Sequence, residues 1–417
     1  MIVKRLKVAN VRAIEAVEFQ FQPGINLIVG VNGAGKTSVL DSLRVCLSAF
    51  VKRANKLRTP VEGFVLDDIR VGTNALTVEC TVRRASAEHQ YVIHKPREAS
   101  AQREGMAGRP REQVHDTPGK ASFLGAAPEP ATGEEIGGRP LAALFSTKRA
   151  VPSARTPSKR LAAGGVAAAF ADAFADRELR LGELAAWMRA QEAVRSERAR
   201  AGRALDAFEN AVVRFLPGYA NLRTDDSKRP RLLIDGDDGT VAVRQMSDGE
   251  RGVLALVLDL TRRLVQANPE LTDPVAEAEA VVLIDEIELH LHPSWQRQIV
   301  RKLEATFPSC QFIATTHSPQ VIGEVEHDRV QIIADGEVYR PPNAFGMDSS
   351  RVLEEIMDAP PRNRKVKELL AQVSREIDSQ RYKMAKGLLV ELVEQLGEND
   401  PEVTRIKTLL DFMEGDD

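Results

Sequence analysis

Ile25-Asn26-Leu27-Ile28-Val29-Gly30-Val31-Asn32-Gly33-Ala34-Gly35-Lys36-Thr37-Ser38 is an apolar, β-prone run that breaks into a glycine-rich loop and opens a helix on Lys-Thr. Gly30, four intervening residues, Gly35, Lys36 and Thr37 have the spacing of a phosphate-cradling loop. Glycine tolerates positive φ and lets backbone N–H groups approach phosphate oxygens with no Cβ in the way. The helix that follows adds the positive end of its dipole. In such a loop the Lys36 ammonium reaches the β- and γ-phosphates, and the Thr37 hydroxyl ligates Mg²⁺. The pattern also arises by chance as a plain glycine-rich turn, so context decides. A strand precedes it, and Val39, Leu43, Cys46, Leu47 and Phe50 recur behind it at helical spacing, which predicts one buried helix face.

At 417 residues the chain has material for two or three domains. Its 43% hydrophobic and 28% charged residues suit a soluble globular protein, and a net charge of −3 gives no overall attraction to nucleic acid. No apolar run approaches the roughly 20 residues that span a bilayer, so no membrane partner is expected. Met1 to Val8 alternates apolar and charged like an edge strand and lacks the apolar centre of a signal peptide. Cys46, Cys80 and Cys310 are far apart and match no metal spacing; they read as small buried hydrophobes of a reducing, cytoplasmic protein.

Residues 1–95 read as an N-terminal lobe of strands around the phosphate loop. Ile2 to Val8 and Val17 to Phe21 predict a hairpin, and Thr77 to Val82 with Gln90 to Ile93 a second strand pair. Residues 96–140 turn rich in Pro, Gly, Ala, Arg and Glu and lose periodicity, as a flexible insertion does. Lys95, Arg97, Arg103, Arg109 and Arg111 could touch DNA or RNA there, but interspersed acids and scarce aromatics favour a solvated linker. Residues 141–225 regain order at Leu141 to Ser146 and then form a helical insertion, with Leu181, Leu184, Ala185 and Met188 as its stripe. Residues 226–340 are a C-terminal lobe that begins with a hairpin, Leu232 to Ile234 and Val241 to Val243. Residues 341–417 are helical and charged. Leu369, Leu370, Val373, Ile377, Leu388, Leu389, Leu392 and Leu396 there are expected to pack on the head or on a partner helix.

Three further stretches carry chemistry. Val281-Val282-Leu283-Ile284-Asp285-Glu286 is an apolar strand ending in two carboxylates. In a buried parallel strand Asp285 stands at the carboxyl end, where it can hold Mg²⁺ through water. Glu286 can orient an attacking water and accept its proton. Thr315-Thr316-His317-Ser318 follows the next strand, which puts His317 where it can hydrogen-bond a γ-phosphate. Met246-Ser247-Asp248-Gly249-Glu250-Arg251 precedes an apolar helix, Val253 to Leu264; it is either ordinary N-cap chemistry or an anion site aimed at a partner subunit's nucleotide.

In this order the stretches resemble the motifs of ABC-type ATPases. Walker A runs from Gly30 to Thr37 and a Ser-Asp-Gly-Glu-Arg signature from Ser247 to Arg251. Walker B (Val281 to Glu286), a Glu288 to Pro293 D-loop and the His317 switch follow. Val8-Ala9-Asn10-Val11-Arg12-Ala13-Ile14 is similar to the opening of the SMC, RecF and OLD branch. The Leu-His-Leu-His-Pro run is most similar to the stand-alone AAA-type ATPases of anti-phage systems, the PtuA group of Septu and retron modules. The resemblance implies an α/β ABC-ATPase head: a P-loop parallel sheet core plus an antiparallel β subdomain, a helical insertion and C-terminal helices. It also implies ATP and Mg²⁺ as cofactors and a homodimer, or a higher oligomer of it, with ATP sandwiched between copies. Arg12, Asn32, Gly33, Ala34, Gly35, Lys36, Thr37 and Ser38 would serve the nucleotide on one side, and Ser247, Asp248, Gly249 and Glu250 on the other. Thr37 and Asp285 would serve the metal, with Glu286, His317 and Lys36 catalytic. No glutamine stands at the family's Q-loop, where Lys148 or Arg149 is the expected stand-in. His290 and His292 look like a metal pair but fit better as D-loop residues at the dimer interface.

Two functions compete on this footing. One is an ATPase switch of a defence system that works with a separate nuclease (HNH-type, PtuB-like) docked on the C-terminal helices. The other is a RecF-like DNA-repair or chromosome-maintenance ATPase that binds DNA through the helical insertion. A transporter subunit fits poorly, because the signature is Ser-Asp-Gly-Glu and the insertion is long. Only about 80 residues follow Ile333 without clustered acids, so a built-in Toprim nuclease is not expected.

Overall fold

The computed structural model describes residues 1–58, 61, 63–97, 122–124, 127–129, 138–150 and 165–415. Strands and helices follow the order β1 (Ile2–Val11), β2 (Ile14–Gln20), β3 (Ile25–Gly30), α1 (Lys36–Ala54), β4 (Ala75–Arg84), β5 (Ala87–Pro96), β6 (Ser122–Leu124) and β7 (Leu141–Phe145). Then come α2 (Val166–Ala169), α3 (Leu181–Ala193), α4 (Ala199–Phe215), β8 (Ala220–Thr224), β9 (Leu232–Gly236), β10 (Gly239–Ala242), α5 (Asp248–Ala267), α6 (Pro274–Glu277) and β11 (Ala280–Ile284). The last are α7 (Pro293–Thr306), β12 (Cys310–Thr316), α8 (Pro319–Ile322), β13 (Val330–Ala334), β14 (Glu337–Tyr339), α9 (Ser349–Arg351), α10 (Arg364–Asp378), α11 (Tyr382–Leu396) and α12 (Pro401–Gly415).

The site is positioned by a six-stranded sheet in the order β14-β13-β3-β12-β11-β7, parallel except for the β13–β14 edge. Every residue of β11 and β12 is buried, as expected for strands covered on both faces. A second, antiparallel sheet has the order β2-β1-β4-β5-β6, and β4 alternates half-buried and buried residues along its length. Both predicted strand pairs are present, as is the β9–β10 hairpin. β6 was not foreseen: it pairs with β5 inside the stretch read as structureless insertion, and Phe123 sets its ring 4.8 Å from Tyr91. The remainder of that stretch, with Arg103, Arg109 and Arg111, lies outside the described residues.

Three polar side chains interrupt the buried strands: Gln311 and Gln331 join the two sheets, and Asn26 ties β3 to the connection that enters it. Gln311 accepts the Val3 N–H (2.7 Å) and donates to the carbonyls of Val3 and Gln22 (2.9 Å each). Gln331 accepts the Gln20 N–H (3.0 Å), and Asn26 that of Gln22 (2.8 Å). Backbone groups satisfy the buried amides of Gln311 and Asn26, whereas Gln331 Nε2 has no hydrogen-bond partner among the described residues. α1 packs against strands of both sheets. Its burial is therefore wider than the predicted single face, and Leu40, Val45 and Val51 are buried along with the expected five.

The helical insertion is α2, α3 and α4, with Trp187 stacked 5.1 Å from Phe208 between the last two. α5, expected to be apolar, buries an ionic cluster at its centre. Asp259 contacts Arg262 and Arg263 at 2.7 Å and Arg177 at 3.7 Å, and Arg263 also donates to the carbonyls of Ala169 and Ala171. Burial alone would raise the Asp259 pKa; the three guanidiniums, Arg263 foremost, outweigh it and hold the carboxylate far below its usual range.

The described chain forms two compact units, Met1–Ser349 and Ser350–Asp417. In the second, α10, α11 and α12 enclose a core of their own that includes Leu369, Val373, Ile377, Leu389, Leu392, Val403, Ile406 and Leu410. The leucines assigned to the head or a partner helix thus pack on one another, with α12 as a third side not recognised in the sequence.

Candidate nucleotide site

The loop between β3 and α1 has the backbone its glycines require. Gly33 and Gly35 lie at φ +84° and +103°. A Cβ on Gly30 would stand 2.7 Å from the Ile333 carbonyl oxygen, and one on Gly35 would stand 2.8 Å from the Ile14 side chain. Asn32, Gly33 and Thr37 are exposed, Ala34 and Gly35 half-buried, Lys36 and Ser38 buried. Lys36 Nζ donates to the carbonyls of Gly30 (2.8 Å) and Val31 (2.9 Å). Burial lowers its pKa, while Asp285, Glu286 and Glu288 pull the other way, which puts all three carboxylates within its field. Arg12, at φ +51°, bonds Asp41 on α1 (2.7 Å) and Asp68 (2.9 Å).

Because β3, β12 and β11 are parallel neighbours, their carboxyl ends share one edge of the sheet. Asp285 and Glu286 leave β11 there, and His317 leaves β12. Thr315 holds the carboxylates in place: its hydroxyl donates to Asp285 Oδ1 (2.6 Å) and accepts the Glu286 N–H (2.7 Å). Glu286 is bent into the left-handed region at φ +49°. Glu288 accepts from the Thr316 hydroxyl (2.8 Å) and the His317 N–H (2.5 Å). Sequence reading gave no role to Thr315 and placed Glu288 only in the D-loop; a hydroxyl pair at a strand end facing a Glu two residues beyond Asp-Glu was the available signal.

Of the two candidate Q-loop stand-ins, the structure brings one to the site. Arg149 is buried (6% exposed) and donates to the carbonyls of Ser146 (3.0 Å), Glu286 (2.6 Å), Phe145 and Asp285. Burial lowers its pKa to about 10, against the pull of Asp285, Glu288 and Glu286. Lys148 instead pairs with Asp176, both more than half exposed. Lys95 and Arg97 also turn inward, donating to backbone carbonyls of Phe64 and of Ile69, Arg70 and Thr73.

The signature segment forms the start of α5. Ser247 is its N-cap: its Oγ accepts the Glu250 N–H (3.3 Å), while Glu250 Oε2 accepts both the Ser247 N–H (3.2 Å) and its hydroxyl (2.7 Å). Asp248 is exposed and bonded to Arg251. Gly249 lies against the D-loop so closely that a Cβ would sit 2.4 Å from the His290 carbonyl oxygen. An open groove of about 670 Å³ runs past Ser247, Gly249, His290, His292 and Trp295. His292 caps α7 by accepting the Ser294 N–H, and among the described residues no three His, Cys, Asp or Glu side chains converge as a metal set.

Two family models match, one described as "AAA domain, putative AbiEii toxin, Type IV TA system" over residues 168–323 and one as "AAA domain" over residues 5–115. A "Retron Ec83 probable ATPase" of Escherichia coli is 37% identical over 209 residues, which is 49% of this chain and 38% of that one. A "Septu protein PtuA" of Bacillus mycoides (strain KBAB4) is 38% identical over 95 residues, 23% of this chain and 13% of that one. Among solved structures, the SMC head domain from Thermotoga maritima aligns with 82% of this chain and 98% of its own at 13% identity and a TM-score of 0.43. The chain thus spans less than two thirds of the length of the sequence relatives it matches.

Proposed function

We propose that this chain carries an ABC-type ATPase core of the SMC and RecF branch, and that it binds ATP with Mg²⁺ and hydrolyses it between two copies of itself. The observation that carries the reading is the meeting, at one sheet edge, of the phosphate-loop lysine with the Asp285–Glu286 pair and His317. Backbone N–H groups from Asn32 to Ser38 would cradle the phosphates, with Arg12 beside them, and Lys36 would exchange the Gly30 and Val31 carbonyls for phosphate oxygens. The Thr37 hydroxyl and the Asp285 carboxylate are hard oxygen donors and fit Mg²⁺. The ion, when bound, neutralises charge on the β- and γ-phosphates. Glu286 would orient the attacking water and accept its proton, and His317 would hydrogen-bond the γ-phosphate. Arg149, holding the carbonyls of both Walker B acids, takes the Q-loop's place. Ser247, Asp248, Gly249 and Glu250 would close over the partner copy's γ-phosphate.

The relatives named for retron and Septu systems support an ATPase of defence type; in this reading it acts with a separate nuclease. We place docking of that nuclease on the second unit, where Met384, Val390 and Phe412 are each 60% exposed or more. The test is phosphate release by the purified chain with Mg²⁺ and ATP. Lys36→Ala should abolish nucleotide binding, and Glu286→Gln should keep binding but stop turnover. Turnover that survives Glu286→Gln sinks the assignment.

A further inference from the structure

The carboxylate of Glu288 uses both of its oxygens on the segment that carries His317. Oε1 accepts the His317 backbone N–H at 2.5 Å, and Oε2 accepts the Thr316 hydroxyl at 2.8 Å. Thr316 Oγ1 in turn accepts the Ser318 N–H at 3.0 Å, so three successive residues of the switch are tied to one carboxylate. Charge-assisted bonds of this kind are about twice as strong as neutral ones.

Glu288 itself sits in a loop of fixed shape. Glu286 and His290 on either side are left-handed, at φ +49° and +60°. Ile287 donates its N–H to Thr315 (3.0 Å) and is buried, and the Leu289 and Leu291 N–H groups close turns on Glu286 and Glu288 (2.9 Å each). The far end of the loop touches the signature helix, where only the bare Gly249 allows the His290 carbonyl so near. A displacement at the signature face therefore has a stiff route to the switch histidine, and Glu288 is its last link.

We propose that Glu288 is a positioning residue. It sets the place of His317 relative to the γ-phosphate according to the position of the D-loop on the signature helix. This rests on the ATPase reading above and names a residue that reading does not use. Glu288→Gln keeps the size and one acceptor but turns the other atom into a donor, which cannot serve an N–H. The bond to the Thr316 hydroxyl can reverse; the one to His317 then survives only if the amide oxygen faces it.

The experiment uses the full chain and measures kcat and KM for ATP hydrolysis, affinity for ADP, and the melting temperature. Glu288→Gln and Thr316→Val are made singly and each in combination with His317→Ala. Expected is a kcat lowered about tenfold in each single variant, the size of one lost charge-assisted bond, with KM and ADP affinity within about twofold. The double variants are expected to be no slower than His317→Ala alone, since all three act through one group. Thr316→Ser, which keeps the hydroxyl, should restore kcat. Losses that multiply in the double variants, or a wild-type kcat in Glu288→Gln, overturn the proposal while leaving the ATPase reading intact. Absence of turnover in the unaltered chain overturns that reading, and this one with it.

Discussion

Gly249→Ala opposes two effects whose sizes the structure separates. Gly249 is the second residue of α5 and its φ lies outside the left-handed region, so alanine suits the helix and by propensity alone would stabilise it by up to about 1 kcal/mol. The new Cβ, however, would stand 2.4 Å from the His290 carbonyl oxygen and 3.4 Å from the Leu291 Cα. Ordinary contact begins at 3.4 Å, so the D-loop backbone must retreat by 3.4 − 2.4 = 1.0 Å. That obstacle is backbone in a loop with two left-handed residues, and overpacking of this kind costs about 1–3 kcal/mol. The net is a loss of roughly 0–2 kcal/mol, a fall of a few degrees at most in melting temperature for a unit this large. Catalysis is more sensitive, because a misplacement of about 1 Å can cost about 10²-fold in rate. The variant should therefore melt close to wild type in calorimetry, bind ATP normally and release phosphate about a hundredfold more slowly. Gly387→Ala, on an open face of α11 with nothing within 4 Å of its Cβ, is the control and should gain about 0.5–1 kcal/mol without touching turnover. Wild-type kcat in Gly249→Ala would refute the claim that D-loop position governs the site.

Other consequences are open to simpler tests. Glu286→Gln should accumulate ATP-bound dimers on size-exclusion chromatography; a monomer with ATP bound would refute the shared site. Arg149→Ala strips a buried donor from four carbonyls and should lower stability by about 3 kcal/mol or more in urea titration. Lys148→Ala, removing an exposed pair, should stay within about 0.5 kcal/mol. Asp259→Asn should destabilise by about 3–5 kcal/mol at pH 7, because it leaves buried guanidiniums without their counter-charge. The folded pKa of Asp259 is depressed, so its contribution is complete above the unfolded value near 4 and fades only as pH falls below it. The gap between variant and wild type should accordingly stay constant from pH 7 to pH 5 and narrow in stronger acid.

The sequence disclosed what rests on local rules. A strand, a glycine loop and Lys-Thr have one common geometry, and β11 with its terminal Asp285-Glu286 is an apolar run with a polar end. Long-range pairing was less legible. Nothing in the spacing says that β12 separates β3 from β11, yet that order is what lets Thr315 bond Asp285 and Glu286. Lys148 and Arg149 are adjacent and equally basic, and only the fold chooses between them, by burying one among carbonyls and leaving the other in solvent. β6 lay hidden in a Pro- and Gly-rich background because three residues are too few to show alternation. α12 escaped for a different reason: its buried Ile406 and Leu410 need the stripes of α10 and α11 to complete a core.

The glutamine at position 311 and the backbone of Val3 exchange hydrogen bonds in both directions, as two residues of a single ladder would, although they belong to different sheets. Shearing one sheet over the other would then break both of these bonds at once. In deuterated solvent the Val3 amide, close to the chain's first residue, should keep its proton as long as amides of the central strands do.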